Sequence, residues 1–211
     1  MNKKLVLAAV FLAGYAGAFL AAKKHYPVVF RAKTEVERTN LFCTLGLSDE
    51  SGTYSPRRVG IRNIFINFRT AFPQRQVDEM RKSGALPMIT WEPYFESLES
   101  DALIPAIAAG KYDAYITEFA RRSGPDPLLI RFAHEPNGDW YGWCGTRAGA
   151  EAYIEAFRRV RRIFSAVGSG AKFVFCVNAE DVPASEMNRF EIYYPGSAYV
   201  DAVGLDAFNW G

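Results

Sequence analysis

Beyond about Asn40 the chain alternates short apolar runs with helical stretches, and this alternation restricts the fold more than any other feature. The runs are Leu41–Leu47, Asn63–Phe68, Leu86–Trp91, Pro127–Ala133, Lys172–Val177 and Tyr199–Leu205. Helical spacing fills several of the intervals: Pro73–Ser83, ended by Gly84; Tyr112–Arg122, with Tyr112, Ile116 and Phe119 on one face; and Arg147–Val167, stopped by Gly168. Short strands that are apolar throughout and separated by helices predict a parallel sheet covered on both sides. A doubly wound sheet and a (β/α) barrel both provide that cover. No Gly-rich phosphate loop follows any strand, so the nucleotide-binding fingerprint is missing. Chemistry-bearing residues collect just after strand ends instead: Trp91-Glu92, Glu135, Asn178 and Asp206. Barrel enzymes build their sites at that face, and doubly wound sheets do so as well. The expected class is α/β, of the (β/α)8 TIM-barrel type. With about six β/α units in view, closure needs two more, so the expectation is an incomplete barrel completed by another segment, or a fragment.

The first residues are set apart from that pattern. Met1–Lys4 is basic, Leu5–Ala22 is uncharged and mostly apolar, and Lys23 and Lys24 follow. Residues 1–24 are therefore expected to be either a signal peptide or a membrane anchor through residues 5–22. Ala16-Gly17-Ala18 fits a cleavage site, whereas the apolar run continuing to two lysines fits an uncleaved anchor. Either reading puts the folded part, 40–211, outside the cytoplasm.

The formal net charge is +2, too balanced to imply nucleic acid as a partner. The basic run at Arg158–Arg162 sits in a helical pattern whose apolar face is Tyr153, Phe157, Val160, Phe164 and Val167, so it is read as a solvated helix face. Cys43, Cys144 and Cys176 are far apart and show no metal-ligand spacing. Neither a metal nor a cofactor is expected. One disulfide or three buried thiols are both compatible with the sequence.

Residues 131–143 read RFAHEPNGDWYGW. The zinc motif H-E-x-x-H fails, because position 138 is Gly. A Ser-His-Asp hydrolase lacks both a G-x-S-x-G and an identifiable serine partner for His134. Glycoside hydrolysis suits the stretch better. It needs one carboxyl that keeps its proton near neutral pH, which a crowded, partly apolar site provides. Glu135 is the candidate acid, with His134, Trp140, Tyr141 and Trp143 around it. Asn137 offers a donor and an acceptor for sugar hydroxyls, and the 15% aromatic content suits stacking on pyranose faces.

RFAHEPNGDWYGW resembles the fourth-strand signature of glycoside hydrolase family 26, known best for endo-acting β-mannanases. ITWEP (Ile89–Pro93), GKYDAYI (Gly110–Ile116) and YYPGSAYVDAVGLDAFNWG (Tyr193–Gly211) match in the same order. The resemblance implies a (β/α)8 barrel that cleaves a β-linked, mannan-like polysaccharide with retention. It also implies Glu135 as general acid/base, His134 as the neighbouring active-site histidine, Trp140 as a sugar-stacking ring, and Trp91 and Asp206 in the cleft. There are two departures. The family's nucleophile is a Glu at the end of the seventh strand, which this chain does not reach. Position 208, two after Asp206, is Phe where a tyrosine is expected. Glu92, Glu180 and Asp181 are stand-ins for the nucleophile by location only, on strands that flank the fourth rather than face it. The alternative function is a non-catalytic carbohydrate-binding protein, or an inactive fragment of such an enzyme.

Overall fold

The structure is a computed structural model, and it describes residues 9–11, 46–48, 60–96 and 103–207. Among the described residues seven strands lie in one sheet: β1 (Ala9–Phe11), β2 (Gly46–Ser48), β3 (Ile61–Asn67), β4 (Leu86–Glu92), β5 (Leu128–Phe132), β6 (Ala171–Asn178) and β7 (Ala202–Asp206). All neighbours are parallel, in the order β1-β7-β6-β5-β4-β3-β2. From β2 to β7 each strand adds beside the one before it, with no reversal. A doubly wound sheet reverses direction at a switch point. Sequential addition is the winding of a (β/α) barrel, and the observed sheet is an incomplete one.

The helices are α1 (Gln74–Lys82), α2 (Leu103–Ala108), α3 (Asp113–Ser123), α4 (Gly145–Ala148) and α5 (Ala150–Ala166). The predicted helix over 147–167 breaks at Gly149, whose φ of 84° is the left-handed conformation that glycine adopts without penalty. Helix α2 escaped the sequence reading, its short segment LIPAIA carrying an internal proline. The predicted strand over 199–205 begins later, at Ala202. There Asp201 first caps the sheet, its carboxylate accepting from the Phe173 N–H at 2.9 Å.

Strand alternation divides the buried residues into two layers. On the helix side lie Ile89 and Trp91 of β4, Ile130 and Phe132 of β5, and Phe173 and Phe175 of β6. They pack with Phe119 of α3 and with Tyr153, Phe157, Val160 and Phe164 of α5, the face predicted for that helix. On the lumen side, alternate positions carry buried polar groups: Asn63, Thr90 and Arg131. The arginines of α5 are engaged by their own chain. Arg158 donates to Pro195 O (2.7 Å), Arg159 pairs with Asp113 (2.7 Å), Arg161 with Asp201 (3.6 Å), and Arg162 with Glu155.

Of the predicted leader, only Ala9–Phe11 is described, as a strand beside β7. The rest of residues 1–24 lies outside the described residues, as do His25, Cys43 and Phe208. Among the described residues no helix is long and apolar enough to cross a membrane.

Candidate active site

The site forms where β4, β5, β6 and β7 end. Their registers align Trp91 with Phe132 and Asn178 with Asp206, so the residues after these strands share one rim. Beyond β5 the backbone leaves the sheet through two left-handed residues, Ala133 (φ 47°) and Glu135 (φ 53°). Non-glycine residues rarely adopt that conformation. It is held by the Ala133 N–H on Trp91 O (3.1 Å) and the Glu135 N–H on Cys176 O (2.8 Å). The kinked backbone places the Glu135 carboxyl between two donors. Trp140 Nε1–H reaches Oε2 and Asn178 Nδ2–H reaches Oε1, each at 2.9 Å. The Trp140 ring lies over Gly138, where a Cβ would stand 2.6 Å from the indole. Glycine at 138 therefore lets the loop approach the ring.

Glu135 is 5% exposed. Burial raises its pKa above the ordinary carboxylate value, and the Asp206 charge adds to the rise. The Asn178 and Trp140 donors and the Arg131 charge oppose it. The result is a carboxyl that holds its proton longer than an exposed glutamic acid, while being oriented at both oxygens.

His134 is packed among rings, with Tyr141 at 5.1 Å, Trp143 at 5.8 Å and Phe65 at 6.0 Å between centroids. Burial holds its pKa well below the ordinary histidine value of 6.5, and the Arg131 charge pushes the same way. The folded state thus binds fewer protons at this ring than the unfolded chain does. The stability linked to it is fully present above pH 6.5 and falls as pH drops below that value. His134→Phe keeps a ring and removes the titration. Urea unfolding between pH 6.5 and pH 5 should show a wild-type pH slope steeper than that of the variant by up to about 1.4 kcal/mol per pH unit. Equal slopes would count against a neutral, buried His134.

Beneath these residues runs a polar ladder across the lumen. Thr90 Oγ1 donates to Asn63 Oδ1 (2.9 Å) and accepts from Arg131 Nε (2.8 Å). Arg131 Nη1 donates to both oxygens of Asp206, at 2.8 and 2.7 Å. The guanidinium also lies 5.3 Å from the Phe65 ring centre. One ligating atom each of His134, Glu135 and Asp206 lie within 4.8 Å of one another, close enough for a cation's ligand set. Arg131 already supplies the positive charge there, with both Asp206 oxygens in its grasp, so the donor set fits a cation poorly.

The predicted site residues divide. Glu135, His134, Trp140 and Asp206 come together at the rim. Trp91 does not: it is fully buried on the helix side, stacked on Phe119 at 4.1 Å and flanked by Phe68 and Phe132. Strand alternation explains the correction. Thr90 and Glu92 take the lumen positions of β4, and the tryptophan between them must face the helices. Asn137 is a second correction. It is fully buried, and its amide is used up on the chain itself rather than offered to a sugar. Of the stand-in carboxylates, Asp181 accepts from Asn137 Nδ2 (2.9 Å) and the Phe190 N–H (3.1 Å), which makes it a loop tie. Of two further residues that shape the site, Asn178 is among the strand-end residues noted in the sequence but without a role, and Arg131 was unassigned. Arg131 had a visible signal, a charge inside an otherwise apolar strand.

A sequence model of glycosyl hydrolase family 26 matches residues 113–210. "Endoglucanase H" of Acetivibrio thermocellus is 36% identical over 165 residues, which are 74% of this chain and 17% of that protein. "Mannan endo-1,4-beta-mannosidase" of Bifidobacterium adolescentis is 28% identical over 83 residues, 39% of this chain and 8% of that protein. The solved β-mannanase of this family from Bacteroides ovatus superposes with a TM-score of 0.56 at 14% identity, covering 72% of this chain and 53% of that one. The chain thus spans under a fifth of these curated relatives and about half of that solved structure.

Proposed function

The chain belongs to glycosyl hydrolase family 26 over residues 113–210, and on that premise we propose that it cleaves a β-linked, mannan-like polysaccharide with Glu135 as general acid/base. The observation that carries this reading is the Glu135 carboxyl: buried, raised in pKa, and fixed by one donor on each oxygen. In the first step Glu135 gives its proton to the glycosidic oxygen as that bond breaks, and a second carboxylate bonds to the anomeric carbon. In the second step the Glu135 carboxylate takes a proton from water as the water displaces that carboxylate. Retention needs the two carboxyls about 5–5.5 Å apart across the sugar. We assign the nucleophile to a segment outside the described residues. The half-buried Trp140 offers a face for sugar stacking, and His134 and Asp206 border the same rim.

A second substrate reading, β-glucan, is favoured by one observation: the likeness to "Endoglucanase H" covers 74% of this chain, against 39% for the mannosidase. Reducing-end release from β-mannan, glucomannan and mixed-linkage β-glucan separates the two. The proposal expects β-mannan to be cut fastest. Cleavage of β-glucan alone would establish the second reading. Quenching of Trp fluorescence by manno-oligosaccharides with no cleavage of any glycan would favour the carbohydrate-binding alternative.

A further inference from the structure

Asn137 is buried completely, and every polar atom of its side chain is satisfied by the last residue of β6 and the loop that follows. Its Nδ2 donates to Asn178 O (2.9 Å), Asp181 Oδ1 (2.9 Å) and, at longer range, Glu180 O (3.3 Å). Its Oδ1 accepts from the Asn178 N–H at 2.9 Å. Its backbone carbonyl accepts from Asn188 Nδ2 (2.9 Å) and the Val182 N–H (2.8 Å). Asn178 is therefore gripped at both backbone groups by one side chain. The Asn178 side chain is also fixed at its oxygen, which accepts from the Glu180 N–H at 3.0 Å. Its remaining group, the NH2, points to Oε1 of Glu135.

We propose that Asn137 is a positioning residue: it fixes Asn178 against Glu135, and so holds the acid/base carboxyl from across the rim although it lies two residues along the same loop. The inference rests on the reading of Glu135 as the acid/base. Surrounding hydrogen bonds that lock the partner of a working group are a recurring way of fixing its geometry. The link has a consequence for the Glu135 proton. Asn178 favours the charged carboxylate, so freeing Asn178 raises the pH at which Glu135 ionises. The other ionisable groups beside Glu135 are Arg131 and His134 from the β5 side, Asp206 from β7, and Tyr141 and Cys144 from the loop. The Asn137 amide touches none of them, so its loss leaves their influence in place.

The test is a 13C NMR titration of the Glu135 carboxyl, assigned with Glu135→Gln, in wild type, Asn137→Ala, Asn178→Ala and the double variant. Each single substitution should raise the midpoint by about one pH unit, the worth of a hydrogen bond to a charged group. The double variant should go no further than the larger single shift, because both act through one contact. An unchanged midpoint in Asn137→Ala, or shifts that add, would overturn the proposal. If circular dichroism shows that Asn137→Ala does not fold, Asn137→Ser, which leaves a hydroxyl in place, is read by the same criteria. The titration needs no turnover, so failure to cleave any glycan would sink the hydrolase reading without deciding this one.

Discussion

Replacing Glu135 with alanine is expected to lower polysaccharide cleavage by the full-length protein by about 10²–10⁴-fold, the usual worth of a positioned general acid/base. That range corresponds to about 3–5.5 kcal/mol of barrier. The loss should depend on the leaving group. A sugar oxygen must be protonated as it departs, and in the proposed mechanism that proton comes from the buried Glu135 carboxyl. An activated phenolate leaves without a proton, so on an aryl glycoside the first step should be largely spared. Comparing kcat/KM for both substrate types in wild type and variant reads this difference directly. Equal losses on both would mean that Glu135 supports the fold rather than the chemistry. Unchanged cleavage of polysaccharide would remove it from the mechanism.

Removing Asp206 should produce the largest change in stability. The Arg131 and Asp206 side chains are 5% and 14% exposed and meet at 2.7 Å. Asp206→Ala takes the two-oxygen carboxylate contact from the buried guanidinium, a loss of about 3–5 kcal/mol for a pair broken on one side. The pairing itself is a different matter, because replacing both partners with apolar residues of similar volume is often close to neutral. The double variant Arg131→Met/Asp206→Leu should therefore recover most of what Asp206→Ala loses. Urea unfolding of wild type and both variants decides it. A loss below about 1 kcal/mol in Asp206→Ala would contradict a desolvated pair.

The architecture was legible because it rests on period and order. Short apolar strands separated by helices specify a parallel sheet: five of the six predicted strands correspond to β3–β7 in sequential order, and β2 takes in the end of the predicted strand over 41–47, whose residues 41–45 lie outside the described residues. The His-Glu pair at the end of an apolar strand was legible for the same reason, since strand ends in such sheets face a common rim. Direction was harder to read than position. Trp91 is at a strand end as predicted but faces the helix layer, because a strand that is apolar throughout does not reveal which alternate set looks inward. The inward set is betrayed by its few polar members, Asn63, Thr90 and Arg131, and tracing it from Arg131 would have turned Trp91 the other way. Asn137 was hidden for another reason. Its partners, Asn178, Asp181, Val182 and Asn188, lie more than forty residues downstream. No local pattern announces hydrogen bonds of that range, so an asparagine beside a candidate acid looked like a sugar ligand.

The most direct test of Glu135 as an acid is its own ionisation in the wild-type protein, read from the pH dependence of its side-chain carboxyl 13C shift. The account predicts a midpoint above the ordinary glutamate value of 4.5, because burial and the Asp206 charge outweigh the Asn178, Trp140 and Arg131 contributions. A midpoint at or below 4.5 would show a carboxylate already ionised where an acid is required, and would contradict the assignment.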